Sequence, residues 1–195
     1  GDNVMLIPKK LLIMSSKIER SSVGRKILQL FQRESELTKA IVNMTVYILF
    51  CSVDYTGYTK FWDPYFEILP KNLNHIPLFW DKEDLKYLKG SSILLDIRDR
   101  LKKIRSEYNI LKKNIKDFKL FNFETYKHVR CLVSSRNFRL NIDNTYSSTM
   151  VPLADMLNHS SDAPTRWFYN NNLNSYQMVL KRNIEAGNER TDSYG

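Results

Sequence analysis

The chain has 195 residues, of which 43% are hydrophobic and 12% aromatic, with 30 Lys and Arg against 21 Asp and Glu. This is enough apolar material to bury the core of about one domain, which excludes general disorder. Six Gly and six Pro exclude a collagen-like or low-complexity architecture. The net charge of +9 predicts either an affinity for anionic partners such as nucleic acid or simply a solvated, lysine-rich surface.

Cysteine usage and hydropathy bear on where the protein works. Two cysteines, Cys51 and Cys131, are too few for a disulfide scaffold, and no Cys-x-x-Cys pair is present. The two could still form a single disulfide, but we expect reduced thiols in an intracellular protein of the cytoplasm or nucleus. The apolar stretch 41–53 is interrupted by polar residues and is shorter than the roughly 18–20 residues of a membrane span. We expect a soluble protein with neither a membrane segment nor a signal peptide.

The first region, 1–30, is predicted to begin with a strand. The apolar run 4–7 is ended by Pro8, as is typical of a strand that leaves a sheet. A short helix is expected to begin at Lys17, capped by the two serines before it.

The second region, 31–130, is predicted to be helical. Ser35 is the expected N-cap of a helix that continues to Cys51. Prolines and aromatic residues crowd the stretch 61–80, and the prolines predict an irregular linker rather than a helix. From Ile97 to Phe118, apolar residues recur at steps of four and three, which predicts one long amphipathic helix. A further helical pattern runs from 123 to 135.

The third region, 131–195, changes to short strands and turns. Residues 166–169 and 176–180 are strand-like, and the asparagines at 170–172 form a turn between them. Together the three regions predict an α+β fold. In it, a small β-rich domain made of 1–30 and 131–195 is interrupted by a mainly helical insertion.

Several kinds of chemistry are excluded by missing motifs. The chain has no glycine-rich nucleotide-binding motif and no Gly-x-Ser-x-Gly elbow. His128 and Cys131 would share a helix face, but a metal requires at least one more ligand, so we expect no metal site. Cys131 lies in an apolar helical pattern where a thiol stays protonated, so we do not expect it to be a nucleophile.

A family signature lies in the C-terminal third. Val-Pro-Leu-Ala-Asp-Met-Leu-Asn-His-Ser at 151–160 is preceded by Ser-Ser-Arg-Asn-Phe at 134–138 and followed by Ser-Tyr-Gly at 193–195. These segments resemble the SET-domain protein methyltransferases. More narrowly, they resemble the branch with a large helical insertion, which includes the Rubisco large-subunit lysine methyltransferase and the actin-histidine methyltransferase. Further matches extend the resemblance over nearly the whole chain, at 1–8, 62–70, 79–91 and 185–189.

The resemblance implies a SET fold with a knot-like C-terminal segment, and an activity. The implied activity transfers a methyl group from S-adenosyl-L-methionine to a lysine of a protein substrate, such as a histone or a ribosomal protein. In-line methyl transfer needs alignment, a neutral amine and an exit for the proton, and it needs no metal. Two other interpretations stay open: a degenerate SET module that binds proteins without catalysis, and a nucleic-acid binder. The second of these depends on the charge of +9 and on the Lys- and Arg-rich helix at 94–119.

For the cofactor, the resemblance implies three contact residues. Asn158 and His159 match the pair that holds the adenine and amino-acid portions of the cofactor, and a polar corner after an apolar run suits that role. Arg136 matches an arginine near the cofactor carboxylate, which a guanidinium fork recognises well. The structural alternatives are a self-satisfied Asn-His turn and an arginine that complements a helix C-terminus.

For the substrate, the resemblance implies another three residues. Ser135 and Asp155 match positions that line the entrance for the substrate lysine, although Asp155 is equally suited to bonding a backbone turn. Tyr194 matches the catalytic tyrosine, whose hydroxyl orients the amine. A phenol with a pKa near 10 is mostly protonated at neutral pH, so we do not expect Tyr194 to act as a general base. Arg190 and Asp192 fit poorly where the family has an apolar strand, so we expect a loosely packed or altered final segment.

Overall fold

A computed structural model describes residues 2–53 and 59–194 of the chain, which divides into two compact units. The first, here called the sheet unit, comprises 1–20 and 135–195, and the second, the helical unit, comprises 21–134. The structure thus separates the units at 20/21 and 134/135, where the sequence suggests 30/31 and 130/131. Within the described residues, no helix combines the length and the apolar character that crossing a membrane requires.

The sheet unit contains two three-stranded antiparallel sheets. The first has the order β1 (Asn3–Pro8), β6 (Ser175–Leu180), β5 (Thr165–Asn170). The second has the order β2 (Ile13–Met14), β4 (Thr145–Met150), β3 (Asn137–Ile142). The strands expected over 4–7, 166–169 and 176–180 are confirmed as parts of β1, β5 and β6.

The sequence does not predict the β3–β4 hairpin. It turns at Asp143 and Asn144, whose φ angles of 50° and 62° are left-handed, as a two-residue hairpin turn of this kind requires. The sequence of β4 shows no alternation of apolar and polar residues, because Ser147, Ser148 and Thr149 are buried although they are polar. Hydroxyl side chains therefore occupy positions where a pattern of apolar residues would mark a strand.

The core of the sheet unit lies between the strands of both sheets. Its members include Ile7 from β1, Leu140 from β3 and Met178 from β6, together with Val151, which follows β4. Burial of such side chains stabilises a fold by about 1.5–3 kcal/mol each. The segment that carries the 151–160 motif is thus anchored in the core at its first residue.

The short helix α1 (Ser15–Ile18) corrects the expected helix start at Lys17. Its serines do not cap it, because Met14 occupies the N-cap position and no side chain caps the helix. The Ser15 hydroxyl instead lies 3.4 Å from the Ser147 hydroxyl of β4. Pairing with the neighbouring strand therefore replaces capping.

The helical unit is built mainly from five helices, namely α2 (Ser22–Leu30), α3 (Glu36–Cys51), α4 (Thr59–Ile68), α5 (Ile93–Asn114) and α6 (Phe123–Ser135). The expected start of α3 is confirmed, because Ser35 is its N-cap and the Ser35 hydroxyl accepts a hydrogen bond from Thr38 N at 3.2 Å. The helix expected from 123 to 135 is confirmed as α6.

Helix α4 corrects the expectation of an irregular linker, since Pro64 lies inside it. Trp62, Tyr65 and Leu69 are all buried, at a spacing that places them on one face. The Trp62 indole also donates a hydrogen bond to the Tyr47 hydroxyl at 3.1 Å. Burial of these side chains offsets the backbone hydrogen bond that a proline removes.

Helix α5 confirms the long amphipathic helix but ends earlier than the periodicity suggests. It stops at Asn114, Asp117 takes a left-handed φ of 61°, and Phe118 begins a short 3-10 helix. Ile97, Ile104 and Phe118 are nevertheless buried. The apolar spacing therefore continues past the end of the helix because the following turn also faces the core.

Candidate active site

The motif at 151–160 forms a tight corner after β4. Leu153 has a φ of 76° and leads into a 3-10 helix at Ala154–Met156. Asp155 N donates to Val151 O at 3.1 Å and closes the turn. A leucine held at positive φ costs of order 1–3 kcal/mol, and such strain is found most often at functional sites. Because Val151 and Ala154 are buried, the corner is fixed and residues 158–159 reach the surface.

The final segment of the chain pairs with this corner through its backbone. Asp192 N donates to Asn158 O and Ser160 N donates to Asp192 O, both at 2.9 Å. The result is an isolated parallel bridge between His159 and Asp192. This bridge brings Tyr194 to the Asn-His pair, although 35 residues separate His159 from Tyr194 in the chain.

Tyr194 contacts the corner at two points. Its backbone N–H donates to His159 Nδ1 at 3.2 Å, and its hydroxyl donates to Leu157 O at 2.6 Å. The two rings lie 5.0 Å apart between centroids. Since Nδ1 accepts a hydrogen bond, the neutral ring of His159 carries its proton on Nε2. The structure therefore brings three predicted residues together, Asn158, His159 and Tyr194.

The three side chains are accessible. Asn158, His159 and Tyr194 are exposed, and the Asn158 carboxamide is held by a hydrogen bond from Nδ2 to Glu189 Oε1 at 2.6 Å. This bond orients the amide and leaves its oxygen as an acceptor for a ligand. Sequence reasoning did not anticipate the role of Glu189, since only the fold shows that it lies beside Asn158.

Arg136 and Asp155 form a second group. Arg136 NH1 donates to the Asp155 backbone oxygen at 2.5 Å and lies 3.4 Å from the carboxylate Oδ2. The Asp155 side chain is fully enclosed, whereas the Arg136 side chain keeps 19% of its exposure. Ser135 precedes Arg136 in the chain and is exposed. Asp155 and Leu157 lie two residues apart, so the two groups flank one short stretch of backbone.

An aromatic cluster in the same unit was missed as part of the candidate site. The Phe138 ring lies 5.1 Å from Trp167 and 5.6 Å from Tyr176, and Trp167 stacks on Tyr176 at 6.2 Å. Burial raises the pKa of the Tyr176 hydroxyl well above its ordinary value, and the carboxylates of Asp192 and Asp155 raise it further. The three rings come from β3, β5 and β6, so only the fold brings them together.

The polarity of the final segment predicts loose packing, and at one position the structure differs from that prediction. Asp192 is only 2% exposed, although Glu189 and Arg190 are exposed. Burial raises the pKa of the Asp192 carboxyl, opposed by hydrogen bonds from Ser193 N and from the side chains of Trp167 and Thr165. Oδ2 has no hydrogen-bond partner among the residues that the structure describes. Backbone pairing with the corner therefore buries a carboxyl group.

These features define a class of fold: two small antiparallel sheets, a strained polar corner, and a terminal segment that returns to that corner. The SET domain of LSMT bound to methyl-lysine and AdoHcy has the same fold, with a TM-score of 0.78 and 20% identity over 100% of this chain and 44% of that one. The model of the SET domain family matches residues 1–195, and the chain belongs to this family. The resemblance expected from the sequence is therefore confirmed, as is the α+β SET fold with small sheets and a helical part.

Relatives of the chain are known as protein methyltransferases. The N-lysine methyltransferase setd6 of Xenopus laevis is 25% identical over 100% of this chain and 45% of its own length. The protein-lysine N-methyltransferase EFM1 of Saccharomyces cerevisiae is 23% identical over 83% of this chain and 35% of its own. The actin-histidine N-methyltransferase of Callithrix jacchus is 25% identical over 97% of this chain and 32% of its own. The chain thus spans less than half the length of these relatives.

Proposed function

We propose that this protein is an S-adenosyl-L-methionine-dependent protein-lysine N-methyltransferase. The observation that carries the proposal is the meeting of Tyr194 with the Asn158–His159 corner, which assembles residues from two distant segments at one place. Family membership and the lysine methyltransferases among the relatives support it. The substrate is a protein, as it is for those relatives.

The residues present suit the cofactor. Bound S-adenosyl-L-methionine supplies a methyl group on a positively charged sulfur, which an amine attacks in line. Asn158 and His159 offer an exposed carboxamide and an imidazole whose Nε2–H is a donor, both suited to adenine and amino-acid groups. The guanidinium of Arg136 is partly exposed and can bind the carboxylate of the cofactor, while its hydrogen bond to the Asp155 backbone oxygen fixes its position.

Tyr194 has the geometry of a hydrogen-bond acceptor rather than a base. Its hydroxyl proton is committed to Leu157 O, so the lone pairs of the phenolic oxygen are left for an N–H of the incoming amine. An amine held in this way points its own lone pair in a defined direction, and orientation of this kind lowers the barrier to displacement. We assign Tyr194 the catalytic role on this basis.

The substrate amine must lose a proton before it reacts. Apolar surroundings lower the pKa of a lysine, and the rings of Phe138 and Trp167 supply such surroundings in the sheet unit. We assign Ser135 and Asp155 to the entrance for the substrate lysine: Ser135 is exposed there, and Asp155, whose side chain is enclosed, holds Arg136 in position beside it. The same desolvation then favours the neutral amine.

Calorimetric titration of the full-length protein with S-adenosyl-L-methionine tests the cofactor site. We expect Asn158→Ala and His159→Ala each to weaken binding by about tenfold or more, the worth of one or two lost hydrogen bonds. Tyr87→Phe is the control, because Tyr87 is 88% exposed and lies in the helical unit. Binding that neither alanine variant changes would refute the assignment.

A degenerate SET module is the second candidate, and buried Asp192 favours it. A carboxyl group lies there where the family pattern has an apolar residue, two positions before Tyr194. If the site has lost its chemistry, the full-length protein will show no cofactor binding in the titration. Measurable binding together with methyl transfer refutes this candidate.

We further propose that the helical part expected at 31–130 is an insertion in the SET domain. The compact unit at 21–134 and the five helices within or bordering that range support this division. We propose an intracellular location, in the cytoplasm or the nucleus, since Cys51 and Cys131 are both buried and are not joined in a disulfide. Unreacted thiols in protein isolated under non-reducing conditions would support this location, and a disulfide would refute it.

A further inference from the structure

A cleft in the sheet unit lies away from the candidate active site. It has a volume of about 660 Å³, within the range of sites that bind small molecules. Its lining combines four cationic side chains and one carboxylate with an apolar and hydroxyl-bearing floor: Lys9, Lys10, Met14, Ser16, Lys17, Arg20, Ile142, Asp143, Thr145, Ser147 and Asn174.

The walls of the cleft are held together by hydrogen bonds between three turns. Lys9 follows β1 and donates its backbone N–H to Asn174 O at 2.9 Å, in the β5–β6 turn. The Lys9 ammonium bonds Asp143 Oδ2 at 3.1 Å, in the β3–β4 turn. Asp143 N in turn donates to Asn171 Oδ1 at 2.9 Å. The cleft is therefore preorganised, which lowers the entropic cost of binding.

The charge of the cleft is unbalanced. Lys9 is paired with Asp143, while Lys10 and Lys17 are exposed at the edge. Met14 and Ile142 are buried in the floor, and the Ser147 hydroxyl there also bonds the Ser16 hydroxyl at 3.2 Å. A ligand for this cleft carries several negative charges and some apolar surface.

The cleft and the candidate active site lie at opposite ends of one hairpin. The cleft contains Asp143, in the turn of the hairpin, whereas Arg136 and Asp155 lie just beyond its open end. Each strand has six residues, so at about 3.3 Å per residue the paired strands alone are roughly 17 Å long. An extended peptide needs at least about five residues to cover this length.

We propose that this cleft docks an acidic segment of the protein substrate, rich in Asp and Glu and about five or more residues from the target lysine. The inference rests on the proposed function and extends it to the substrate class. Protein rather than nucleic acid is favoured because the cations are gathered in one cleft with an apolar floor. Nucleic acid requires a longer row of cations that follows successive phosphates.

Fluorescence anisotropy with a labelled octaglutamate peptide tests the cleft directly in the full-length protein. We expect the peptide to bind, and the double variant Lys10→Glu/Lys17→Glu to bind about tenfold or more weakly, because two attractions become repulsions. The matched control is Lys113→Glu/Lys116→Glu, which makes the same change of net charge on exposed residues of the helical unit. It is expected to leave the affinity for octaglutamate within about twofold of the parent.

Three results would overturn the proposal. The first is the absence of octaglutamate binding, and the second is equal weakening by the two double variants. The third is tighter binding of an oligothymidylate of eight nucleotides that the cleft variant abolishes, since this would assign the cleft to nucleic acid. Circular dichroism verifies that both variants keep their secondary structure, so that a loss of binding is not a loss of fold.

Methylation kinetics separate the cleft from the proposed function. On a lysine peptide with an acidic segment five residues away, the cleft variant should raise KM and leave kcat unchanged, whereas a peptide with glutamines in that segment should not respond. If octaglutamate binds but no lysine peptide is methylated, the proposed function fails and the cleft stands. If methylation proceeds with equal KM in parent and cleft variant, the docking site is refuted and the activity stands.

Discussion

A buried ion pair in the helical unit gives a sharp test of the structure. Glu107 and Arg130 are 2% and 7% exposed, and they join α5 to α6. Arg130 donates from Nε to Glu107 Oε2 at 2.9 Å and from NH2 to Oε1 at 3.2 Å. The Tyr126 hydroxyl donates to the same carboxylate at 3.0 Å, and its pKa is raised mainly by burial and next by the charge of Glu107.

Arg130→Met removes one partner and keeps most of the volume. Glu107 then stays buried as a carboxylate that has lost its positive partner and keeps the hydrogen bond from the neutral Tyr126 hydroxyl. Breaking a buried pair in this way lowers the stability of the fold by about 3–5 kcal/mol. We expect the free energy of unfolding, from urea titration followed by circular dichroism, to fall by that amount. An exposed pair serves as control: Lys102 lies 3.2 Å from Asp99, and Lys102→Met should change stability by less than about 0.5 kcal/mol.

The double variant Glu107→Leu/Arg130→Met completes the cycle. Because it removes both charges, it should lose less stability than Arg130→Met alone, and the two single losses should not add. A loss below about 1 kcal/mol for Arg130→Met would refute the reasoning, since that value belongs to an exposed pair. Additive losses would refute it as well.

Three further predictions concern single groups. Burial raises the pKa of Asp192 in the folded protein, so the folded state binds the carboxyl proton more tightly than the unfolded state does. The stability that Asp192 contributes is therefore fully present below the unfolded pKa of about 4, and it is lost as pH rises through the folded pKa. Asp192→Asn should therefore be more stable than the parent at pH 8 and equal to it at pH 3.5 in urea titrations, and no difference at pH 8 would contradict this. Arg136→Ala should weaken the binding of S-adenosyl-L-methionine, measured by calorimetry, by about tenfold, and an unchanged affinity would show that Arg136 is not part of the cofactor site. Burial raises the pKa of the Cys131 thiol, so iodoacetamide should label it in urea but not in the native protein, and rapid native labelling would contradict its burial.

The helices were predictable because burial imposes a period on the sequence, and β1, β5 and β6 were predictable because their apolar or aromatic runs are bounded by turn residues. The spacing of apolar residues from Ile97 onward located α5, and the Ser35 cap located the start of α3. The 3-10 segment at Phe118 was not predictable, since a turn that faces the core continues the same spacing. Pro64 misled the prediction because tertiary burial outweighed a local penalty.

The residues of the candidate site that lie in a contiguous motif could be predicted from the sequence. The contacts that bring distant segments together could not. The run at 151–160 identified Asn158 and His159, and the terminal Ser-Tyr-Gly identified Tyr194. The bond from Arg136 to the Asp155 backbone and the burial of Asp192 depend on long-range pairing, which leaves no local signal. The β3–β4 hairpin was not predicted because its buried residues carry hydroxyl groups, and a run of such residues is typical of a loop.

Methyl transfer itself is the most direct test of the account. Full-length protein incubated with methyl-deuterated S-adenosyl-L-methionine and cell extract should produce deuterated methyl-lysine in peptides identified by mass spectrometry. Tyr194→Phe should reduce that labelling by about ten- to a hundredfold, because it removes the oxygen that orients the amine. Labelling that is absent with the parent protein, or that continues at an unchanged rate in Tyr194→Phe, would contradict the assigned chemistry.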